Sequence, residues 1–176
     1  MDVYAFEQLP FTNRFRELID GDVTVASGRD IVHQRTVMQA ATHVTNVASG
    51  GEAFIGPIDL LLDDHNIPEP DILWLAPDTR YQVSKQYIMG GADLVIEVLS
   101  PGNAQHDRIR KFELHQRFGI PECWMLEPDE RLVEVWVLRE GRYQRQGAYA
   151  PGSTFQSVAL RGATVTVAEL FDDYPL

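Results

Sequence analysis

The sequence has one cysteine, Cys123, which excludes an internal disulfide and any multi-cysteine zinc module. Lysine is almost as scarce: of 15 basic residues only Lys85 and Lys111 are lysines, the other 13 being arginine. No apolar run approaches the roughly 18 residues of a membrane span. The start, with Asp2 and Glu7, lacks the basic residues and apolar stretch of a secretory signal. These absences lead us to expect a soluble, cytoplasmic protein. Repeats, low-complexity tracts and Ser/Gly-rich linkers are also missing, so residues 1–176 are expected to form a single domain. There is no GxSxG nucleophile elbow and no phosphate-cradling GxxxxGK loop, and the five histidines show no metal-binding spacing.

What is abundant is acid. The chain carries 26 Asp+Glu against 15 Lys+Arg, a net charge of -11 and a pI near 4.8. That balance argues against a broad basic face for polyanions. The excess is uneven: residues 1–100 hold 15 acids and 6 bases, residues 101–176 hold 11 and 9. Within 105–117 the sign reverses, where Arg108, Arg110, Lys111 and Arg117 outnumber Asp107 and Glu113. A solvated helix face would explain this patch. It also keeps a polyanionic substrate open.

The element pattern is mixed. Phe15 to Ala26 reads as a hairpin around Asp20-Gly21. Ile31, Val37, Met38, Ala41, Val44, Val47 and Ala48 recur at helical spacing, with Asp30 as N-cap and Gly50-Gly51 as C-cap. Ala53 to Leu62 reads as an edge or kinked strand because Pro57 interrupts it. Ile72 to Ala76 and Asp93 to Leu99 read as strands, the second buried on both faces and ended by Pro101-Gly102. His106 to Phe118 reads as a helix packed through Ile109, Phe112 and His115 and closed by Gly119. Strands at Cys123–Leu126, Val133–Leu138, Arg142–Tyr149, Val158–Leu160 and Thr164–Val167 follow, then a short terminal turn. The expected fold class is α/β, with a central mixed sheet.

Three side chains stand out. Glu97 lies inside DLVIEVL, where burying an unpartnered carboxylate costs several kcal/mol. It needs a partner: as a metal ligand, or as a strand-end acid paired with arginine. Strand alternation puts Asp93, Val95, Glu97 and Leu99 on one face and Leu94, Ile96 and Val98 on the other. Asp71 opens another apolar strand directly after Pro70. If the two strands are neighbours, two hard carboxylates converge, a donor set suited to Mg²⁺ or Mn²⁺; otherwise Asp71 caps a turn. Lys111, on the helix after the Glu97 strand, either reaches back to that strand or pairs with Asp107 one turn away.

Taken in order, these residues resemble the PD-(D/E)XK nuclease superfamily, and most closely a bacterial family of restriction-endonuclease-like proteins. The resemblance rests on Glu17 to Gly21 (ELIDG), His33, Pro70-Asp71, Glu97 to Pro101 (EVLSP), Asp107 with Lys111, Gly119 and Trp124. It spans about residues 12–138. It implies a restriction-endonuclease-like core with a central mixed sheet flanked by helices. It also implies a metal-dependent endonuclease acting on DNA. A homodimer is expected because duplex cutters are often symmetric and most oligomers are two-fold. Asp71, Glu97 and the backbone carbonyl of Val98 would hold Mg²⁺ or Mn²⁺, with Lys111 as catalytic amine. Glu17 is a possible further acid or a plain hairpin ion pair, and Asp59 is placed similarly. Leu99 stands where the superfamily usually has its lysine, so the amine is expected from Lys111. His115 and Cys123 replace tyrosines frequent in relatives, and Glu127 an aspartate. These changes are expected to touch packing more than the metal site. The alternatives to an enzyme are a catalytically inactive binding or regulatory module on the same fold and a structural domain.

Overall fold

The computed structural model describes residues 1–10, 16–25, 30–99 and 104–171. A short helix α1 (Val3–Glu7) precedes the hairpin of β1 (Arg16–Ile19) and β2 (Asp22–Val25). Asp20 and Gly21 both take positive φ, 52° and 77°, the type I′ geometry that matches strand twist. Helix α2 (Ile31–Val47) starts where the Asp30 carboxylate accepts the His33 N–H. Its buried stripe is His33, Thr36, Val37, Ala40, Ala41 and Val44. Ile31 and Met38, expected inside, are exposed at 64% and 59%. The small residues Ala40 and Ala41 let the helix lie close to the sheet and move its packed face away from both. The helix ends at an extended Ala48, so Gly50-Gly51 do not cap it but lead into the next strand.

The segment expected as one strand across Pro57 is two. Strand β3 (Glu52–Ile55) edges the main sheet, whereas β4 (Asp59–Leu61) joins a separate small sheet. Strand β5 (Ile72–Leu75) follows, then β6 (Gln82–Val83), β7 (Tyr87–Met89) and β8 (Leu94–Val98). Helix α3 (Ala104–Arg117) connects β8 to its parallel neighbour β9 (Glu122–Glu127). Strands β10 (Leu132–Arg139) and β11 (Arg142–Tyr149) extend the sheet, and β12 (Thr154–Ser157) pairs with β13 (Ala163–Thr166). Val158–Leu160, expected as a strand, is the turn between those two; Val158 is 53% exposed. An apolar tripeptide carries no periodicity that separates strand from turn. A 3-10 turn at Val167–Leu170 ends the described chain's regular structure.

The six-stranded sheet runs β11-β10-β9-β8-β5-β3, antiparallel except between β8 and β9. It is a mixed sheet flanked by few helices. On one face Leu94, Ile96 and Val98 pack with Val37, Ala40 and Val44 of α2 and with Trp124 and Phe155. On the other, Val95 packs with Leu73 and Ile120. The expected alternation along β8 holds, and burial on both faces makes this strand central.

Helix α3 stops in a Schellman motif: Ile120 N–H donates to the His115 carbonyl and Gly119 N–H to that of Gln116, with Gly119 at φ 73°. That stop aims the last turn of α3 at the end of β8. Ile109, expected on the packed side, is 50% exposed, whereas His115 and Leu114 are buried. Pro101-Gly102, the ends of the expected hairpin (Phe15 and Ala26) and the Asp107 side chain lie outside the described residues.

Candidate active site

Strand β1, helix α2, the residue that opens β5, strand β8 and helix α3 deliver ionisable side chains to one end of the central strands. The β5–β8 pairing sets Ile72 opposite Ile96, so Asp71 and Glu97 stand one step further along the same antiparallel ladder. The Asp71 carboxylate crosses to the neighbouring strand, where its Oδ2 accepts the Val98 N–H at 2.8 Å. His33, in the first turn of α2, places Nε2 3.2 Å from the same oxygen. Asp71, Glu97 and Val98 are 5%, 6% and 5% exposed, so the expected site is buried at its base.

Among the described residues Glu97 pairs with no arginine. Its Oε2 lies 3.4 Å from Lys111 Nζ and its Oε1 3.0 Å from His115 Nε2. The lysine therefore does reach back from α3 to β8. Its shortest contact, however, is to Glu17 Oε1 at 2.7 Å. Glu17 is 1% exposed and also accepts the Glu69 N–H at 2.7 Å, while Lys111 Nζ lies 3.4 Å from the Glu69 carbonyl. The hairpin places Glu17 here because Leu18 and Ile67 bond each other's backbones in both directions. Leu18 and Ile19 are themselves fully buried.

Burial alone would pull the Lys111 ammonium down, but Glu17, Glu97 and Asp71 outweigh it and hold the pKa above its usual value. Lys111 is a fixed cation. Glu17 is pushed up, chiefly by burial and by Glu97, against the pull of Lys111. Among the described residues its second oxygen, Oε2, is buried without a hydrogen-bond partner, as are Nδ1 of His33 and of His115. A buried carboxylate oxygen left open beside two more carboxylates is a donor set short of cation. In charge and oxygen chemistry it fits a hard divalent ion. Among the described residues no three His, Cys, Asp or Glu side chains are already arranged as metal ligands.

Two side chains carry more weight here than the sequence reading assigns them. Glu17 holds the lysine, and its signal was a lone acid beside two core residues in ELI. His115, expected to affect packing, touches Glu97 directly. Asp59 does not join the cluster: it sits on β4, half-buried, lining an adjacent cleft of about 670 Å³. The basic stretch of α3 is also largely spent. Arg110 lies 2.9 Å from the Ile19 carbonyl and 3.4 Å from Asp22, and Arg117 lies 2.5 Å from Asp20, so both tie α3 to the hairpin.

Comparison with known proteins agrees with this architecture. The chain is 32% identical over 126 residues to the uncharacterized protein slr1290 of Synechocystis sp. (strain ATCC 27184 / PCC 6803 / Kazusa), an alignment covering 68% of this chain and 65% of that protein. Its fold matches the crystal structure of a "putative nuclease belonging to DUF820" from Anabaena variabilis ATCC 29413, with a TM-score of 0.78 at 18% identity over 97% of each chain. The family model described as "Uma2: Putative restriction endonuclease" matches residues 3–168, and the chain belongs to that family.

Proposed function

We propose that this protein is a divalent-metal-dependent endonuclease that hydrolyses phosphodiester bonds in DNA, working in the cytoplasm as a homodimer. The observation that carries the reading is the buried Lys111 ammonium shared by Glu17 and Glu97, beside Asp71 and an open Glu17 oxygen. Asp71, Glu97 and the Val98 carbonyl would hold one or two Mg²⁺ or Mn²⁺ ions. When bound, such an ion supplies Lewis-acid activation of water and offsets charge on the phosphate.

The chain's own residues do the rest. Lys111 stays protonated, so it donates to the attacking water or to the oxygen on which charge develops and does not act as a base. Glu17 fixes the ammonium from the hairpin side, and the Glu69 backbone braces both. His33 and the Val98 N–H orient Asp71, and His115 orients Glu97. A preorganised set of this kind costs little rearrangement when the phosphate arrives.

A second reading is a binding module on a nuclease fold that does not cleave. One observation favours it: both Glu97 oxygens already face a donor, Lys111 or His115. Incubating supercoiled plasmid and single-stranded circular DNA with the protein in Mn²⁺ or Mg²⁺ separates the two. The enzyme reading expects cut product from at least one of them, lost in Glu97→Ala and Lys111→Ala. Both substrates intact under every divalent-metal condition would leave the binding module.

A further inference from the structure

The cleft of about 670 Å³ beside the ionic cluster shares Glu69 with it. That residue lines the cleft, while its backbone N–H and carbonyl contact Glu17 and Lys111. A group seated in the cleft therefore lies next to the proposed reaction centre. The walls carry three aromatic rings, Phe6, Phe54 and Tyr87, and two cations, Arg16 and Lys85. The Arg16 guanidinium stands over the Phe6 ring, 6.0 Å from its centroid. The Tyr87 hydroxyl donates to Glu7 on α1, which pins that ring in place.

Resting on the nuclease reading, we infer that this cleft receives one unpaired nucleobase of the substrate strand, and that the enzyme acts on single-stranded rather than base-paired DNA. Aromatic walls in a concavity gain by stacking only on a base face that is not already covered. In a duplex, neighbouring bases cover both faces of each base. At about 670 Å³ the concavity has room for a base together with part of its sugar-phosphate backbone. Arg16 and Lys85 stand where phosphates flanking that base would pass. They supply local positive charge on a chain whose overall balance is -11. Tracking a duplex would need a broad basic surface, whereas on α3 the acids Asp22 and Asp20 lie beside Arg110 and Arg117 and offset their charge.

Asp59 supplies the polar specificity. It is half-buried on the cleft wall, and burial together with Glu7 holds its carboxyl above the usual range. In its ionised form this carboxylate accepts the exocyclic amino hydrogens of cytosine or adenine, whereas thymine offers it only the single N3–H.

The test is fluorescence anisotropy without divalent metal, using a 5′-labelled oligonucleotide of about 12 nucleotides and the duplex of the same sequence. The wild-type chain should bind the single strand at least about tenfold more tightly. Phe54→Ala should weaken that binding roughly tenfold. Exposed Lys85→Ala should lower the salt slope by about 0.7, with duplex binding unchanged for both variants. Circular dichroism checks each fold, and the Lys85 variant keeps the test alive should Phe54→Ala unfold. Oligo(dT) should bind more weakly than oligo(dC), a difference lost in Asp59→Asn. Equal or tighter duplex binding, or single-strand binding indifferent to both Phe54→Ala and Lys85→Ala, would overturn the inference. A Mn²⁺ cleavage assay on both substrates separates it from the reading beneath it. Cutting of duplex alone sinks the inference and keeps the nuclease. Cleft-dependent single-strand binding with no cutting keeps the base-receiving cleft and sinks the nuclease.

Discussion

Two glutamates on neighbouring strands of the same sheet meet different fates. Glu122 on β9 and Glu97 on β8 are 0% and 6% exposed. Glu122 accepts the Trp124 indole N–H at 2.6 Å on one oxygen and the Ala159 N–H at 2.7 Å on the other, both neutral donors fixed by the fold. It ties the turn between β12 and β13 to the main sheet. Glu97 instead faces Lys111 and His115, ionisable groups on a helix, with the open Glu17 oxygen beside the same lysine. Buried charge alone does not mark a site. The kind of partner does: fixed neutral donors close a carboxylate structurally, whereas ionisable neighbours around an unfilled oxygen leave it able to take up another cation.

The contrast is sharpest in catalysis. Lys111→Met should lower the rate of DNA cleavage by about 10²- to 10³-fold, the scale of losing one preorganised electrostatic donor. Glu122→Gln should leave it within about threefold. Steady-state assays at 25 °C decide; equal losses would erase the distinction.

Stability comes next. Lys111→Met leaves Glu17 and Glu97 without their shared cation and should cost about 3–5 kcal/mol in urea denaturation. Glu122→Ala strands the Trp124 and Ala159 donors and should cost about 1–3 kcal/mol. A lysine variant as stable as wild type would mean that the ion cluster is not formed in solution.

The smallest effect is in pH. Burial raises the folded pKa of Glu122 above its usual 4.5. Its favourable contribution is therefore complete below 4.5 and is lost as pH rises through the higher folded value. Lys111 is also raised, from 10.5, so its contribution is complete below 10.5 and falls only in stronger alkali. Urea melts across pH should show the acid-side slope flattened in Glu122→Gln and the alkaline loss absent in Lys111→Met.

Glu97 was legible because one acid in DLVIEVL breaks an otherwise apolar strand, and period-two alternation assigned its face correctly. Lys111 was legible by its rarity. Whether Asp71 stood beside Glu97 was not, because β5–β8 pairing joins segments more than twenty residues apart in the chain and no local pattern encodes it. Glu17 was undervalued for the same reason: its burial depends on a hairpin docking against α3 and Ile67. His115 read as a packing residue because helical periodicity reports a buried face, not which strand lies beneath it. Ile31, Met38 and Ile109 went the other way, apolar by type yet exposed where the helices face solvent. Glu122 gave no signal at the edge of its strand.

The central claim is that Asp71 and Glu97 hold a divalent ion while Glu122 does not. Soaking crystals in Mn²⁺ and collecting data at the manganese edge tests it directly. The account predicts an anomalous peak bridging Asp71 and Glu97, within reach of Lys111. No peak there at millimolar Mn²⁺, with the Lys111 bridges to Glu17 and Glu97 unchanged, would contradict it.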